Sequence, residues 1–172
     1  MPDTKRLGLD SPTDLLAKLR WEIVQLDLPV DQEAVASYRA FNCAVTAWSI
    51  KDWVWKAVPA DLRERLRAES PNPKAKECFA SLLRERSREL AICQQLANGS
   101  KHFILDDKYN DKTISSYRTA SMSFYLSDNG EGHTEPSHGV FIEDGVHIYS
   151  DLGLFTRAHD YWREFFKHYG VE

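Results

Sequence analysis

The chain has 172 residues, of which 26 are acidic and 22 are basic, so its formal charge is −4. This length corresponds to about one domain, and a domain of this size folds without disulfides or a structural metal. The negative charge argues against a protein that coats nucleic acid or adheres to a membrane through a positive field. Five Trp, seven Tyr and eight Phe argue against a disordered chain.

The cysteines and the N-terminus predict a cytoplasmic protein. No apolar segment follows Met1 as it does in a secretory leader, and the charge-free run from Ala40 to Ile50 is too short to span a bilayer. The three cysteines are widely spaced and form no Cys-x-x-Cys pair, which is typical of reduced, buried thiols. We therefore expect no membrane association.

The first hundred residues follow the 3.6-residue period of helices. Ser11 or Thr13 is expected to cap the first helix, and Asp31 to cap the second. The pair Asn98-Gly99 is expected to end the last of them, with Gly99 in the left-handed conformation. The four predicted helices cover about 11–27, 31–58, 61–69 and 74–97.

Strands and turns replace helices after about residue 103. Asp144-Gly145 is a tight hairpin signal between the second and third predicted strands. A final amphipathic helix, rich in aromatic residues, is expected over about 154–169. The three predicted strands are Ser121–Leu126, Val140–Ile142 and Val146–Tyr149.

These elements predict a single domain over residues 1–172. Its fold class is mainly α, with a helical bundle over about 11–102 and 153–170. A small antiparallel sheet of two or three strands is inserted before the C-terminal helix, at about 119–150.

Polar residues cluster where the predicted helix over 74–97 ends. His102 is a candidate acid or base near neutral pH, and Lys101 is a candidate cation for a phosphate. Asn98 can donate and accept hydrogen bonds. The alternative is an ordinary helix C-cap, because Asn-Gly ends helices and Lys and His favour the negative end of the helix dipole.

Asp52 lies among large aromatic residues of the second predicted helix, so partial burial and a cationic partner are expected. Lys101 or His102 is a candidate for that partner. A carboxylate bonded to His102 would fix the imidazole tautomer and raise its basicity. The alternatives are a structural salt bridge and a solvated helix flank.

Arg86 falls on the apolar seam of the helix predicted over 74–97. If it is buried it needs a partner, for which Asp52, Glu22 or a backbone carbonyl are candidates. A buried stem with an exposed guanidinium is the alternative.

The second predicted helix also carries a row of tryptophans. Such a row fits either a small-molecule pocket or ordinary core packing. The residues are Trp48, Trp53 and Trp55.

A predicted loop from Asp128 to His138 contains residue types that bind metals. The two histidines are five residues apart across a proline, a spacing that matches no zinc pattern, so no metal is expected. No cofactor is expected either, because the chain has no phosphate-binding glycine loop and no dinucleotide-binding turn. The residues concerned are Glu131, His133, Glu135 and His138.

Lys51-Asp52-Trp53 on one helix, together with the run Leu-Ala-Asn-Gly-Ser-Lys-His over 96–102, resembles a group of bacterial and phage-associated proteins. That group is similar to a distant branch of the HEPN superfamily of helical bundles. HEPN nucleases carry an Arg, then a polar residue, three further residues and a His. On this chain the His corresponds to His102, the polar residue to Asn98 and the Arg position to Ala97. The resemblance covers about Tyr38–Phe103.

The resemblance implies an endoribonuclease, or a protein derived from one, in a defence or toxin system. It also implies a homodimer in which two motifs face one cleft and bind RNA. His102 would assist attack by the ribose 2′-hydroxyl, and Asp52 would orient His102. Lys101 would stabilise the charged transition state, and Asn98 would position the substrate.

The alternative is a non-catalytic module that binds a partner protein or assembles. Three features favour it: the acidic balance of the chain, Ala97 at the Arg position, and the aromatic-rich last helix.

Overall fold

The computed structural model describes residues 7–30, 32–101, 111–126, 132–145 and 147–171. In these ranges the chain is mainly helical, with a three-stranded antiparallel sheet before the last helix, which confirms the predicted fold class. The elements are α1 (Pro12–Leu26), α2 (Glu33–Ala57), α3 (Ala60–Ala68), α4 (Cys78–Arg86), α5 (Arg88–Lys101), β1 (Ile114–Leu126), β2 (Gly132–Asp144), β3 (His147–Ser150) and α6 (Asp151–Tyr169).

α1 begins with a reciprocal cap. The Ser11 hydroxyl accepts from the backbone N–H of Asp14 at 3.2 Å, and the Asp14 carboxylate accepts from the backbone N–H of Ser11 at 2.9 Å. Pro12 follows the cap, where its missing N–H is not needed. Bonds from the backbone of Asp10 and from Ser11 hold the pKa of Asp14 below its usual value. The predicted cap at Ser11 is confirmed.

α2 is the central helix, in contact with α1, α4, α5, α6 and both long strands. Its buried face is built mostly from small residues, which allow neighbouring backbones to approach closely. Arg39 joins it to α1 by donating to the carbonyls of Gln25 and Leu28, at 2.7 and 2.8 Å. Asp31 lies outside the described residues, and the cap position is taken by Gln32 without a side-chain bond.

The prediction of one helix over 74–97 is wrong. The chain forms two helices there, α4 and α5, which are separated at Ser87. Ser87 has the extended conformation, with φ −142° and ψ 112°. Its hydroxyl accepts from the backbone N–H of Leu90 at 3.2 Å, so it caps the start of α5. Ser87 therefore ends α4 and starts a separate helix, α5.

The predicted end of that helix at Asn98-Gly99 is also wrong. α5 continues through both residues to Lys101. Gly99 does not take a left-handed φ; in the described residues only Gly8, Gly145 and Gly170 do so among the glycines. Ala97 is fully buried, so packing extends the helix past a local stop signal.

The sheet has the order β1-β2-β3, and β1 and β2 pair along their entire lengths, from Ile114↔Asp144 to Leu126↔Gly132. Both strands are longer than predicted. The hairpin at Asp144-Gly145 is confirmed: Asp144 pairs with His147, and Gly145 has a φ of +60°. A glycine tolerates this conformation without a steric penalty.

α6 closes the bundle. Ser150 caps it by accepting from the backbone N–H of Gly153 at 3.1 Å, and Gly170 ends it in the left-handed conformation. Its fully buried Trp162 donates from Nε1 to the carbonyl oxygen of Ala47 at 2.9 Å. This bond fixes α6 against the middle of α2.

One cluster of buried side chains joins the helices to Val140 and Ile142 of β2. Cys43 and Cys93 lie in this cluster, and Cys78 is buried outside it; all three are free thiols. Burial raises the pKa of Cys43 and of Cys93, so both stay protonated at neutral pH.

We expect Trp162→Phe to lower the free energy of unfolding by about 2 kcal/mol, because it removes a buried hydrogen bond and leaves a small void. Trp21 is 63% exposed, so Trp21→Phe is the matched control and should change stability by less than about 0.5 kcal/mol. Urea denaturation measures both. Equal losses in the two variants would contradict this account of the core.

Candidate functional site

The described part of the predicted motif, residues 97–99 of α5, lies at the boundary of the core. Ala97 is fully buried, Asn98 is half-buried and Gly99 is exposed. Asn98 and Lys101 are three residues apart in one helix, so they lie on neighbouring turns of the same side. His102 lies outside the described residues, and so does the side chain of Lys101.

Asp52 is not partly buried as predicted. Its side chain is 63% exposed and accepts from Lys51 Nζ at 2.7 Å. Lys51 in turn lies over the ring of Trp48, 5.1 Å from its centroid. Asp52 falls on the outer side of α2, away from the aromatic core, which explains the difference. The expected pairing of Asp52 with His102 lies outside the described residues.

The tryptophans of α2 pack in or against the core. Trp48 is buried, and Trp55 stacks on Phe79 with ring centroids 5.2 Å apart. Phe165 of α6 continues this stack, 5.9 Å from Phe79. Trp53 is partly buried against the same cluster. Core packing, the alternative to a ligand pocket, accounts for these rings.

Arg86 is the last residue of α4, and its partners differ from those predicted. Its guanidinium donates to Tyr169 Oη at 2.9 Å and to Glu69 Oε2 at 2.8 Å, and Tyr169 Oη donates to the same carboxylate at 3.0 Å. Burial opposes the charge on Glu69, but the bonds from Tyr169 and Arg86 hold the pKa of Glu69 below its usual value. This closed triangle joins the ends of α3, α4 and α6.

The predicted loop from Asp128 to His138, in which no metal is expected, is a strand over most of its length, because residues 132–138 belong to β2. His133 and His138 are five residues apart on that strand, so their backbones are separated by about 17 Å. Within the described residues, no group of three or more His, Cys, Asp or Glu is arranged to hold a metal ion.

A groove of about 550 Å³ lies between α2 and the sheet. Glu33 and Arg118 both line the groove and form an ion pair, with 2.9 Å between Glu33 Oε1 and Arg118 Nε. Phe41 and Tyr117 add aromatic surface, and both are exposed, at 39% and 42%. The apolar floor consists of Ala40, Ala44, Val140 and Ile142. Sequence reasoning missed this groove, since its two walls come from segments about seventy residues or more apart.

Arg88 joins the start of α5 to the sheet. Arg88 donates from Nε to Asp144 Oδ2 at 2.7 Å, from Nη2 to Asp144 Oδ1, and from Nη2 to Asp111 Oδ2 at 3.1 Å. The bonds from Arg88 hold the pKa of Asp144 below its usual value, and bonds chiefly from Thr113 do the same for Asp111. This contact joins the start of α5 to the end of β2, two residues beyond Ile142 of the groove.

Comparison with protein-family models, with curated protein sequences and with solved structures finds no match to this chain. Among the helices in the described ranges, none combines the length and the apolar character that a membrane crossing requires.

We expect Asp144→Asn to lower the free energy of unfolding by about 2 kcal/mol at neutral pH, because it removes a charged, largely buried partner of Arg88. The depressed pKa of Asp144 means that its contribution is present above about pH 4 and is lost as the pH falls through the folded-state value. The variant should therefore show a shallower loss of stability on acidification than the wild type.

Asp52→Asn is the matched control for this experiment. Its exposed pair with Lys51 should contribute less than about 0.5 kcal/mol. Urea denaturation between pH 3 and pH 7 measures both variants. If Asp144→Asn and wild type lose stability in parallel on acidification, the Arg88 contact is not the anchor of the sheet.

Proposed function

We propose that this chain is a non-catalytic binding and assembly module built on a bundle of the HEPN kind. The observation that carries the proposal is the burial of Ala97. The resemblance places the Arg of the HEPN motif at this position, and here a methyl group lies fully inside the core. A charged side chain at the same place would have to leave the core or remain buried without water, which is strongly unfavourable.

The environment of Asp52 supports the same proposal. A carboxylate that orients a catalytic histidine is normally held by that histidine and shielded from water. Asp52 is instead largely exposed, and its carboxylate is bonded to its neighbour Lys51.

The charge and the shape of the described surface favour a protein partner over RNA. The chain has a formal charge of −4 and therefore no overall field that attracts phosphates. The groove beside α2 has an apolar floor, and the one arginine among its lining residues, Arg118, is already paired with Glu33. Apolar surface of this kind is typical of contacts between proteins.

The second candidate function is an endoribonuclease of the HEPN kind. The continuity of α5 favours it, because the helix carries Asn98 and Lys101 about one turn apart, immediately before His102. In that case His102 would be the base, Lys101 the charge beside the phosphate and Asn98 the positioning group.

Incubation with total cellular RNA distinguishes the two functions. We expect no cleavage by the wild type, by His102→Ala or by His147→Ala, an exposed histidine of β3 that serves as the matched control. Circular dichroism must show that all three are folded. Cleavage by the wild type and by His147→Ala that His102→Ala lacks would overturn the non-catalytic proposal and establish the nuclease.

A further inference from the structure

The outer edge of β1 carries a long row of backbone groups that no other described strand contacts. β1 has thirteen residues and pairs with β2 on one side. Among the described residues no strand pairs with its other side, since the sheet order is β1-β2-β3. An edge of this kind is a template for a further strand, because its outward N–H and C=O groups need partners.

Proteins normally protect such edges with proline, lysine or other charges. β2 follows this rule: β3 pairs only with its residues 141–144, and the part that β3 leaves uncovered contains Pro136 and Glu135. β1 contains no Pro, Lys, Asp or Glu. Its one charged residue, Arg118, is neutralised by Glu33 at 2.9 Å. Among its own residues, β1 therefore lacks the protecting types that β2 contains.

The groove lies along this unprotected edge. Ser116, Tyr117 and Arg118 are consecutive residues of β1, and all three line it. Ser116 and Arg118 pair with Ile142 and Val140, so these four positions belong to the same sheet face. Ile142 and Val140 are buried, which identifies that face as the one that α2 covers. A strand added to β1 would present one of its faces to the same groove.

We propose that β1 pairs with β1 of a second copy of this chain, antiparallel about a two-fold axis at Ala120, so that each copy places residues 122–126 along the groove of the other. The proposal rests on the binding function proposed above and names its partner. Pairing of one strand with itself is isologous, and it satisfies the open groups of both copies at once.

The register follows from the length of the strand. Ala120 is the midpoint of 114–126, so full overlap puts residue 122 of the second copy opposite Arg118 and residue 124 opposite Ser116. Directly opposed residues share a sheet face. The sequence has Met122 and Phe124 at those positions, and the groove they would meet has an apolar floor. No like charges oppose each other, since Arg118 stands opposite a methionine.

The size of the edge favours a second copy over a short peptide. Thirteen residues extend over about 44 Å, and a strip about 10 Å wide along them covers about 440 Å² per copy. Stable interfaces bury about 800 Å² per partner. Phe41, 39% exposed, lines the groove from α2 and supplies further surface. A peptide of five or six residues would cover less than half of the edge.

Light scattering after size-exclusion chromatography tests the proposal. We expect the wild type to have twice the mass of the chain. Phe124→Glu should have the mass of one chain, because it brings a charge to the apolar groove of the other copy. Ser123→Glu is the matched control, one position along on the opposite sheet face, and should remain dimeric. The thermal unfolding midpoint of each variant shows whether the fold is kept.

A disulfide trap tests the register even if Phe124→Glu fails to fold. On the two-fold axis, Ala120 of each copy should have its Cα about 5 Å from the other, which is within the range of a disulfide. Ala120→Cys should therefore form a covalent dimer under a mild oxidant. Ile148→Cys, 61% exposed on β3, should not, and the three native cysteines are buried.

A wild type with the mass of one chain at all concentrations would overturn the proposal. A dimer that persists in Phe124→Glu and is not trapped in Ala120→Cys would also overturn it, because another surface would then hold the copies together. The RNA assay is independent of both results. Cleavage lost in His102→Ala overturns the non-catalytic function, whereas a monomer overturns β1 pairing without making the chain a nuclease.

Discussion

The arrangement of this protein depends on the short side chains along one side of α2, because they let several neighbouring elements pack closely against this helix. Ala36, Ala40, Ala44 and Ala47 are all buried along one side of the helix. They allow α5, α6 and the sheet to approach its backbone closely, and Trp162 reaches the carbonyl of Ala47 for the same reason. A large residue at any of these positions would push a neighbouring layer outward.

The sheet is held unequally along its length. At one end, Arg88 joins Asp144 to α5, and the side chains of Val140 and Ile142 are buried. Towards the other end, β1 and β2 remain paired with each other as far as Leu126 and Gly132. The groove lies where the anchored half meets α2. Beside the groove, the sheet is joined to the helices by packing on the alanines of α2, by the ion pair between Glu33 and Arg118, and, further along β2, by Arg88.

The sequence correctly predicted the elements whose structure depends on residues close together in the chain. The cap at Ser11, the extent of α2, the hairpin at Gly145 and the aromatic helix α6 each depend on residues close together in the chain. The break at Ser87 escaped prediction because serine in a charged helical stretch is ordinary, and only its extended backbone makes it a cap. α5 continues past Asn98-Gly99 because burial of Ala97 outweighs a local stop signal.

The candidate site was predictable only in part. A resemblance pointed to residues 97–102, and the structure places Ala97 and Asn98 at the edge of the core. The exposure of Asp52 matches the solvated helix flank that the sequence left open as an alternative, since an aspartate among tryptophans in sequence can still lie on the outer side of a helix. The groove and the anchor at Arg88 join residues distant in the chain, so no local pattern marks them. The lengths of β1 and β2 depend in the same way on cross-strand pairing.

The burial of the three thiols has a practical consequence. Cys43 and Cys93 are 0% exposed and Cys78 is 1% exposed, so an alkylating reagent reaches them only when the core opens. Cys43 lies in α2, Cys93 in α5 and Cys78 at the start of α4. Labelling of all three at one rate would mean that the bundle opens as a single cooperative unit. Earlier labelling of Cys78 would mean that α3 and α4 detach first and leave the central helices closed. The order in which the three thiols are alkylated thus shows which helices separate first when the core opens.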